Sequence, residues 1–363
     1  MLGLFAMIFS TILYLELWFF VKGAPLNHTP AIFIFGDSLA DVGNNDYIPF
    51  SSLRVNYFPY GIDFPRRIPT GRFSNGRLVL DFVASNLGLQ VPLPYLSPEA
   101  KGLDLLHGVN YASGGCGILN ETTRNSKGCL SLSAQVRYHT QTRSRIIEQL
   151  GEDTEAFFSR ALFFIVIGSN DFLGNYISNN SGGSNTPSFM QFRDHLISSL
   201  DDDIQILYGE GARRVILMGL GPLGCIPSQI AKSKNGTCNE DLNDWAQGLN
   251  MAFTSLVKGL SLRLEDLLMT FVNPYPILKD FIDNPLPYGF EVTNKACCGG
   301  GKMNAQIPCL PLFICCLNRT NHIFWDPWHP TEATNELLAN AFLSNNSTSS
   351  YPWSIRQLAN LDL

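Results

Sequence analysis

The chain has 363 residues, of which 45% are apolar and 15% charged, and its net charge is −6. That apolar share suffices for a large core, while the charged share is low beside the roughly 25% of ordinary soluble domains. The negative balance argues against a nucleic-acid binder, which needs a basic face to meet phosphate. The one dense charge run, residues 201–203, reads as a solvated helix face rather than a metal site.

Residues 2–21 are almost continuously apolar, broken by Glu16, and small residues follow at Gly23 and Ala24. The pattern predicts a secretory signal over residues 1–23 with cleavage near Gly23. No Lys or Arg precedes the run, so a retained signal anchor is the alternative, since about 20 apolar residues span a bilayer. No later segment is long and apolar enough to span, so no stable membrane span is expected after cleavage. Asn-x-Ser/Thr acceptors at Asn27, Asn120, Asn179, Asn235, Asn318, Asn345 and Asn346 suit passage through the secretory pathway. Nine cysteines suit an oxidising compartment.

Beyond the leader, β-branched and aromatic runs recur at residues 31–35, 109–112, 161–167, 214–218 and 268–272. Helical stripes lie between several of them. Thr186-Pro187 reads as a helix N-cap with Pro at the first helical position. Phe189, Phe192, Leu196, Leu200, Ile204 and Leu207 then recur at spacings of three and four, as do Leu242, Trp245, Leu249, Phe253, Leu256, Leu260, Leu264 and Leu267. These are core faces. Strands separated by helices imply parallel βαβ units with helices on both sheet faces. With no internal repeat and no linker, residues 30–343 form one α/β/α domain and residues 344–363 a C-terminal tail. Residues 46–76, 178–187 and 283–322 read as long loops. The last holds Cys297, Cys298, Cys309, Cys315 and Cys316, where disulfides replace a missing core, free buried thiols being the alternative. No His sits among them at zinc-finger spacing. An odd cysteine total leaves at least one thiol unpaired or paired outside the chain, and the connectivity is open.

In a parallel sheet, sites form beyond the carboxyl ends of the strands. The first run exits into Gly36-Asp37-Ser38, the second into Ser113-Gly114-Gly115, and the third into Gly168-Ser169-Asn170-Asp171. Late in the chain, Asp326 stands three residues before His329. These are the parts of an acyl-transfer site. Ser38 lies near the start of the next helix, where free N–H groups and the dipole favour negative charge. The Ser38 N–H, the unobstructed Gly115 N–H and the Asn170 side-chain amide supply an oxyanion hole. His329 is the base, its tautomer fixed by Asp326. Each piece alone has a plainer reading: Gly-Asp-Ser as a turn, Asn-Asp as a loop, Asp-x-x-His as a helix N-cap. His107, His139, His195 and His322 compete as bases. The conjunction, in order and at element ends, favours chemistry. Tyr57, Phe58, Tyr60 and Phe64 read as packing, with an acyl pocket as the alternative. No Gly-x-Ser-x-Gly elbow occurs.

Four segments resemble the blocks of the GDSL esterase/lipase family, within the SGNH hydrolase superfamily, and more closely its secreted plant branch. They are FIFGDSLADVGNN (residues 33–45), GVNYASGGCGIL (108–119), GSND (168–171) and FWDPWHPTEATN (324–335). TGRFSNGRLVLDFVA and ACCGGG also look like family landmarks, without a chemical role. The resemblance covers nearly all of the mature chain. It implies a three-layer, flavodoxin-like SGNH hydrolase fold with a mainly parallel, roughly five-stranded sheet. It also implies carboxylic ester hydrolysis through an acyl-enzyme. Ser38, Asp326 and His329 carry over as the triad, and Gly115 and Asn170 as oxyanion donors beside Ser38. No cofactor and no metal are expected. The partner is a small-molecule or polymer-linked ester, and the expected location is extracellular, the apoplast or cell wall in a plant. Acyl transfer with the same residues, a non-catalytic binding protein of the same fold and a metal-dependent hydrolase are the rival readings. Cys116 departs from the usual Ala or Gly, and either narrows the pocket or bridges to Cys129. Cys315 is also extra.

Overall fold

A strand points successive side chains to opposite faces, and in residues 32–36 both sets are buried. Phe33 and Phe35 enter one core, and Ile32 and Ile34 the other. Such a strand belongs in the interior of a parallel sheet covered on both sides. In the computed structural model, whose described residues are 29–126, 128–177, 187–345 and 348–361, that is its position. The leader over residues 1–23 and the acceptors Asn27, Asn179 and Asn346 lie outside the described residues.

The strands are β1 (Ile32–Gly36), β2 (Leu93–Pro94), β3 (Val109–Asn110), β4 (Leu162–Val166), β5 (Arg214–Met218), β6 (Leu268–Val272) and β7 (Ser350–Tyr351). Their order is β2-β3-β1-β4-β5-β6-β7, parallel throughout except for the pairing of β7 with β6. All five expected runs form strands. The edge strands β2 and β7 are two residues each, too short to show a period in sequence. Register aligns Gly36 with Val166, Val166 with Met218, and Met218 with Val272. The strand exits therefore share one edge of the sheet.

Helices α1 (Val79–Asn86), α2 (Leu132–Leu150), α3 (Phe189–Gly209), α4 (Glu240–Arg263), α5 (Tyr275–Asp283), α6 (Glu332–Leu343) and α7 (Ile355–Ala359) divide between the two faces. α2, α3 and α4 cover the Phe33/Phe35 side, and α1, α5, α6 and α7 the other. α3 begins two residues later than Pro187 suggests. Ser188 caps it: its hydroxyl accepts the Gln191 N–H, and the Gln191 side chain accepts the Ser188 N–H. The acidic run on α3 is not wholly solvated. Asp201 pairs with Arg263 at 2.7 Å, while Asp203 is buried, and burial first, then Asp202, pushes its carboxyl up to about 7. Within the stretch read as a tail, Ile355 and Leu358 of α7 are fully buried.

The Cys-rich loop is closed by two nested disulfides, Cys297–Cys316 and Cys298–Cys309, and Cys225–Cys238 forms a third. The nested pair packs with Val55, Tyr60, Phe73 and Trp325 in a satellite core. Among the described residues, no helix is long and apolar enough to cross a membrane.

Gln135, fully buried on α2, ties this helix to the end of β1. Its carbonyl accepts the Gly36 N–H, and its amide donates to Gly36 O and Leu130 O, each at 2.8 Å. Replacing Gln135 by Leu orphans buried backbone groups. We expect a loss of about 1–3 kcal/mol of unfolding free energy for each group left unpaired, read from urea denaturation.

Candidate active site

The β1–β4 ladder continues one residue past the strand: Asp37 N–H donates to Val166 O at 3.0 Å. This close approach requires Gly36, because a Cβ there would lie 2.3 Å from Val166 O. The chain then turns, and the Ala40 and Asp41 N–H groups both donate to Asp37 O. Ser38 thus lies in a single turn and not in the first turn of a helix. The Leu39 N–H goes to the Asp37 side chain at 3.0 Å. Local turn geometry, and not a helix dipole, presents the hydroxyl.

The Ser38 Oγ lies 2.8 Å from His329 Nε2. On the other side of the ring, His329 Nδ1 lies 2.8 and 2.7 Å from the two Asp326 oxygens. Asp326 also closes its own turn, Oδ1 accepting the Trp328 and His329 N–H groups at 2.8 Å. Its Oδ2 accepts the Tyr60 hydroxyl at 2.8 Å. The N-cap-like and dyad readings of Asp-x-x-His therefore describe one carboxylate doing both. Burial works to raise the Asp326 carboxyl. The charge and hydrogen bond of His329, the Trp328 amide and the Tyr60 hydroxyl outweigh it and hold the group below its ordinary value. An ionised Asp326 places the ring proton on Nδ1 and leaves the Nε2 lone pair facing Ser38. Phe73 packs on the imidazole with ring centroids 5.0 Å apart.

The other candidate bases lie elsewhere. His139 is buried among Phe33, Phe35 and Phe163, and burial, with Arg143 adding, drives it down to about 3. His107 and His195 are exposed, and His322 bonds to Asn321.

The second and third exits converge on the same turn. Gly115 has φ +82°, a region that favours glycine, and a Cβ there would have to displace the tip of the Leu53 side chain, 2.2 Å away. The peptide ahead of it is clamped: Gly114 N–H donates to Asp41 Oδ2, and Asn45 Nδ2 donates to Gly114 O, each at 2.9 Å. Asn44 bridges Asn110 O and Ala112 O, and Asn110 returns a bond to Ala40 O. Asn170 Nδ2 donates to Cys116 O at 2.9 Å and lies 3.4 Å from Asp37 Oδ2. Next to it, buried Asp171 accepts the Ile118 and Leu119 N–H groups and the Thr122 hydroxyl.

Sequence reasoning did not single out Asp41, Asn44, Asn45, Asn110, Gln135 or Asp171 for these tasks, and it placed Tyr60 only among packing residues. Short polar side chains crowded just past strand ends were the available signal. Tyr60 does pack, against Trp325, but its hydroxyl also reaches the acid. Tyr57 donates to Cys309 O, Phe64 lies under Arg72, and Phe58 is half exposed. Cys116 and Cys129 are not bridged; they are hydrogen-bonded thiols, and Cys116 is pushed up first by burial and then by that bond. Cys315 is likewise a free thiol.

The GDSL-like Lipase/Acylhydrolase family model matches residues 32–342. The chain belongs to this family. It is 41% identical over 357 residues to GDSL esterase/lipase 7 of Arabidopsis thaliana, covering 96% of this chain and 97% of that protein. Two further Arabidopsis thaliana proteins, GDSL esterase/lipase At5g45670 and GDSL esterase/lipase At4g18970, are 41% and 40% identical over 342 residues. These alignments cover 92% of this chain and 92% and 93% of those proteins. The chain is accordingly a carboxylic ester hydrolase with the α/β fold of its family.

Two predictions concern this site. Tyr60→Phe removes a hydrogen bond to a charged acceptor, worth about 1.5–3 kcal/mol. At the lower bound, kcat/KM on a soluble ester falls about tenfold, measured by steady-state kinetics. The second concerns Asp37, which burial raises to about 7, the Leu39 N–H and His329 pulling the other way. Unfolded, an Asp titrates near about 3.9, so between these values the folded protein holds a proton that the unfolded chain has released. This contribution to stability is complete at acidic pH and is lost as pH rises through about 7. The denaturation midpoint should be higher at about pH 5 than at about pH 8, and the difference should shrink in Asp37→Asn.

Proposed function

We propose that this chain is a secreted serine esterase acting through an acyl-enzyme on Ser38. The observation that carries the reading is the continuous hydrogen-bonded line from Ser38 Oγ through His329 to Asp326. His329 Nε2 takes the Ser38 proton as Oγ attacks the ester carbonyl, and Asp326 stabilises the imidazolium. The Ser38 N–H, the Gly115 N–H and the Asn170 amide receive the oxyanion. Collapse expels the alcohol, to which His329 gives its proton. Water then attacks the acyl-Ser38, losing a proton to His329, and the acid leaves as Ser38 is reprotonated. No step draws on a cofactor. The substrate is a small-molecule or polymer-linked ester.

Secretion is supported by the apolar leader over residues 1–23 and by the three disulfides. Of the glycosylation acceptors within the described residues, Asn120, Asn235, Asn318 and Asn345 are all exposed.

Ser38→Ala should abolish ester turnover and covalent labelling by a fluorophosphonate; labelling that persists in this variant removes Ser38 as the nucleophile. Asn170→Ala should fold and lose about 2.7–4 kcal/mol of transition-state stabilisation, a fall of about 100- to 1,000-fold in kcat. Turnover near the wild-type rate would take Asn170 out of the oxyanion hole.

A further inference from the structure

Residues 305–318, AQIPCLPLFICCLN, contain no charged side chain. Leu312, Ile314 and Leu317 are 90%, 94% and 97% exposed, and Ile307 and Leu310 are exposed beside them. Scattered surface leucines need no explanation, but a contiguous aliphatic stretch of this kind marks an interaction surface. The stretch is firmly mounted. Cys298–Cys309 and Cys297–Cys316 fasten it at two points, the Tyr57 hydroxyl holds Cys309 O, and Cys316 N–H donates to Cys297 O. Between these fastenings Leu312 has φ +68°, a region that favours glycine. Strain in a side-chain-bearing residue persists where the surroundings impose it, and such residues gather at ligand clamps and functional sites. The strained turn here holds aliphatic side chains out into water.

The chemistry around this tip selects an occupant. From residue 292 to residue 325 there is no acidic side chain, and Lys295, Lys302 and Arg319 supply the formal charges, in a chain whose net charge is −6. Arg319 bonds to Asp63, near which Arg66 and Arg67 are exposed. Exposed aliphatic side chains on a stretch whose only formal charges are basic match a lipid surface with anionic headgroups, which accepts Leu and Ile without demanding shape. Hot spots between proteins favour Trp, Tyr and Arg, with Leu under-represented.

The mount is also continuous with the reacting groups. Cys297 and Cys298 N–H groups donate to Phe324 O and Trp325 O, directly ahead of Asp326. Phe73, in the same satellite core, packs on His329. We propose that residues 305–318 are an interfacial docking element that seats Leu312, Ile314 and Leu317 in an anionic lipid surface and so presents the Ser38 site to esters held there. The proposal rests on the esterase reading for its purpose, but lipid binding is measurable apart from turnover.

The test is co-sedimentation with vesicles of equimolar phosphatidylcholine and phosphatidylglycerol, using the full chain freed of N-glycans by an endoglycosidase, because the acceptor Asn318 adjoins Leu317. Wild type should partition onto these vesicles, and the double variant Leu312→Asp/Ile314→Asp should partition about tenfold less or weaker still. The same variant should keep wild-type kcat/KM on a soluble short-chain ester and lose activity on an emulsified long-chain ester. Leu312→Trp provides a second measurement: its emission should shift to the blue when vesicles are added. Equal partitioning of wild type and double variant, no partitioning by wild type, or no spectral shift would each overturn the proposal. So would a wild-type dimer in buffer that the double substitution splits, which would make the loop a contact between copies. Wild type that binds vesicles but cleaves no soluble ester would instead defeat the esterase reading and leave the docking element standing.

Discussion

A parallel sheet satisfies its backbone only while its strands run side by side. Past the last ladder bond, buried N–H and C=O groups still need partners, and leaving each unpaired costs about 1–3 kcal/mol. This chain meets the requirement with short polar side chains: Asp41 for Gly114, Asn44 for Asn110 and Ala112, Asn45 for Gly114, Gln135 for Gly36, and Asp171 for Ile118 and Leu119. Because Asp41, Asn44, Asn45 and Asp171 come from one exit and serve another, while Gln135 ties α2 to the first, satisfying the backbone fixes the exits relative to each other. The distance between the Ser38 turn and the Gly115 and Asn170 peptides follows from that requirement.

The acid of the Ser38–His329–Asp326 line depends on a second, smaller device. Asp326 is fully buried, and an isolated carboxylate there would take up a proton. Two backbone amides, an imidazole and the Tyr60 phenol prevent this. Tyr60 is held in turn by Trp325 and the disulfide-bonded satellite core. The Cys-rich loop carries little regular structure, yet its covalent fastenings position Tyr60, the partner of the Asp326 carboxylate. Disulfides here stand in for the packing that a larger core would provide.

Much of this was legible in the sequence, for physical reasons that differ between parts. The buried strands announce themselves as continuous apolar runs because both faces are covered, and α3 and α4 show their stripes because each buries one side. Ser38 was visible because a hydroxyl sits where a strand ends, and Asp326 and His329 because an acid and an imidazole stand three residues apart just ahead of a helix. The start of α3 was misplaced because the Ser188–Gln191 capping box outcompeted the Thr186-Pro187 signal. Asp203 was misread because a charge run hides which member faces inward. Edge strands of two residues carry no period. The clamping role of Asn44, Asn45 and Asp171 is long-range: spacing along the chain does not reveal which backbone C=O or N–H 50 or more residues away a side chain will meet.

The two ends of the described chain meet at the edge of the sheet remote from Ser38. The Thr29 hydroxyl donates to Ala359 O at 3.1 Å, and the Arg214 guanidinium bonds Ala359 O and Leu361 O at the start of β5. Ser38 lies beyond the opposite end of the same strands. A fusion partner, affinity handle or solid support joined directly at residue 29 or residue 361 would thus be anchored on the far pole of the described fold, leaving the Ser38 rim unobstructed. Joining residue 29 to residue 361 by a short peptide and opening the chain at an exposed loop would likewise keep every strand in its place.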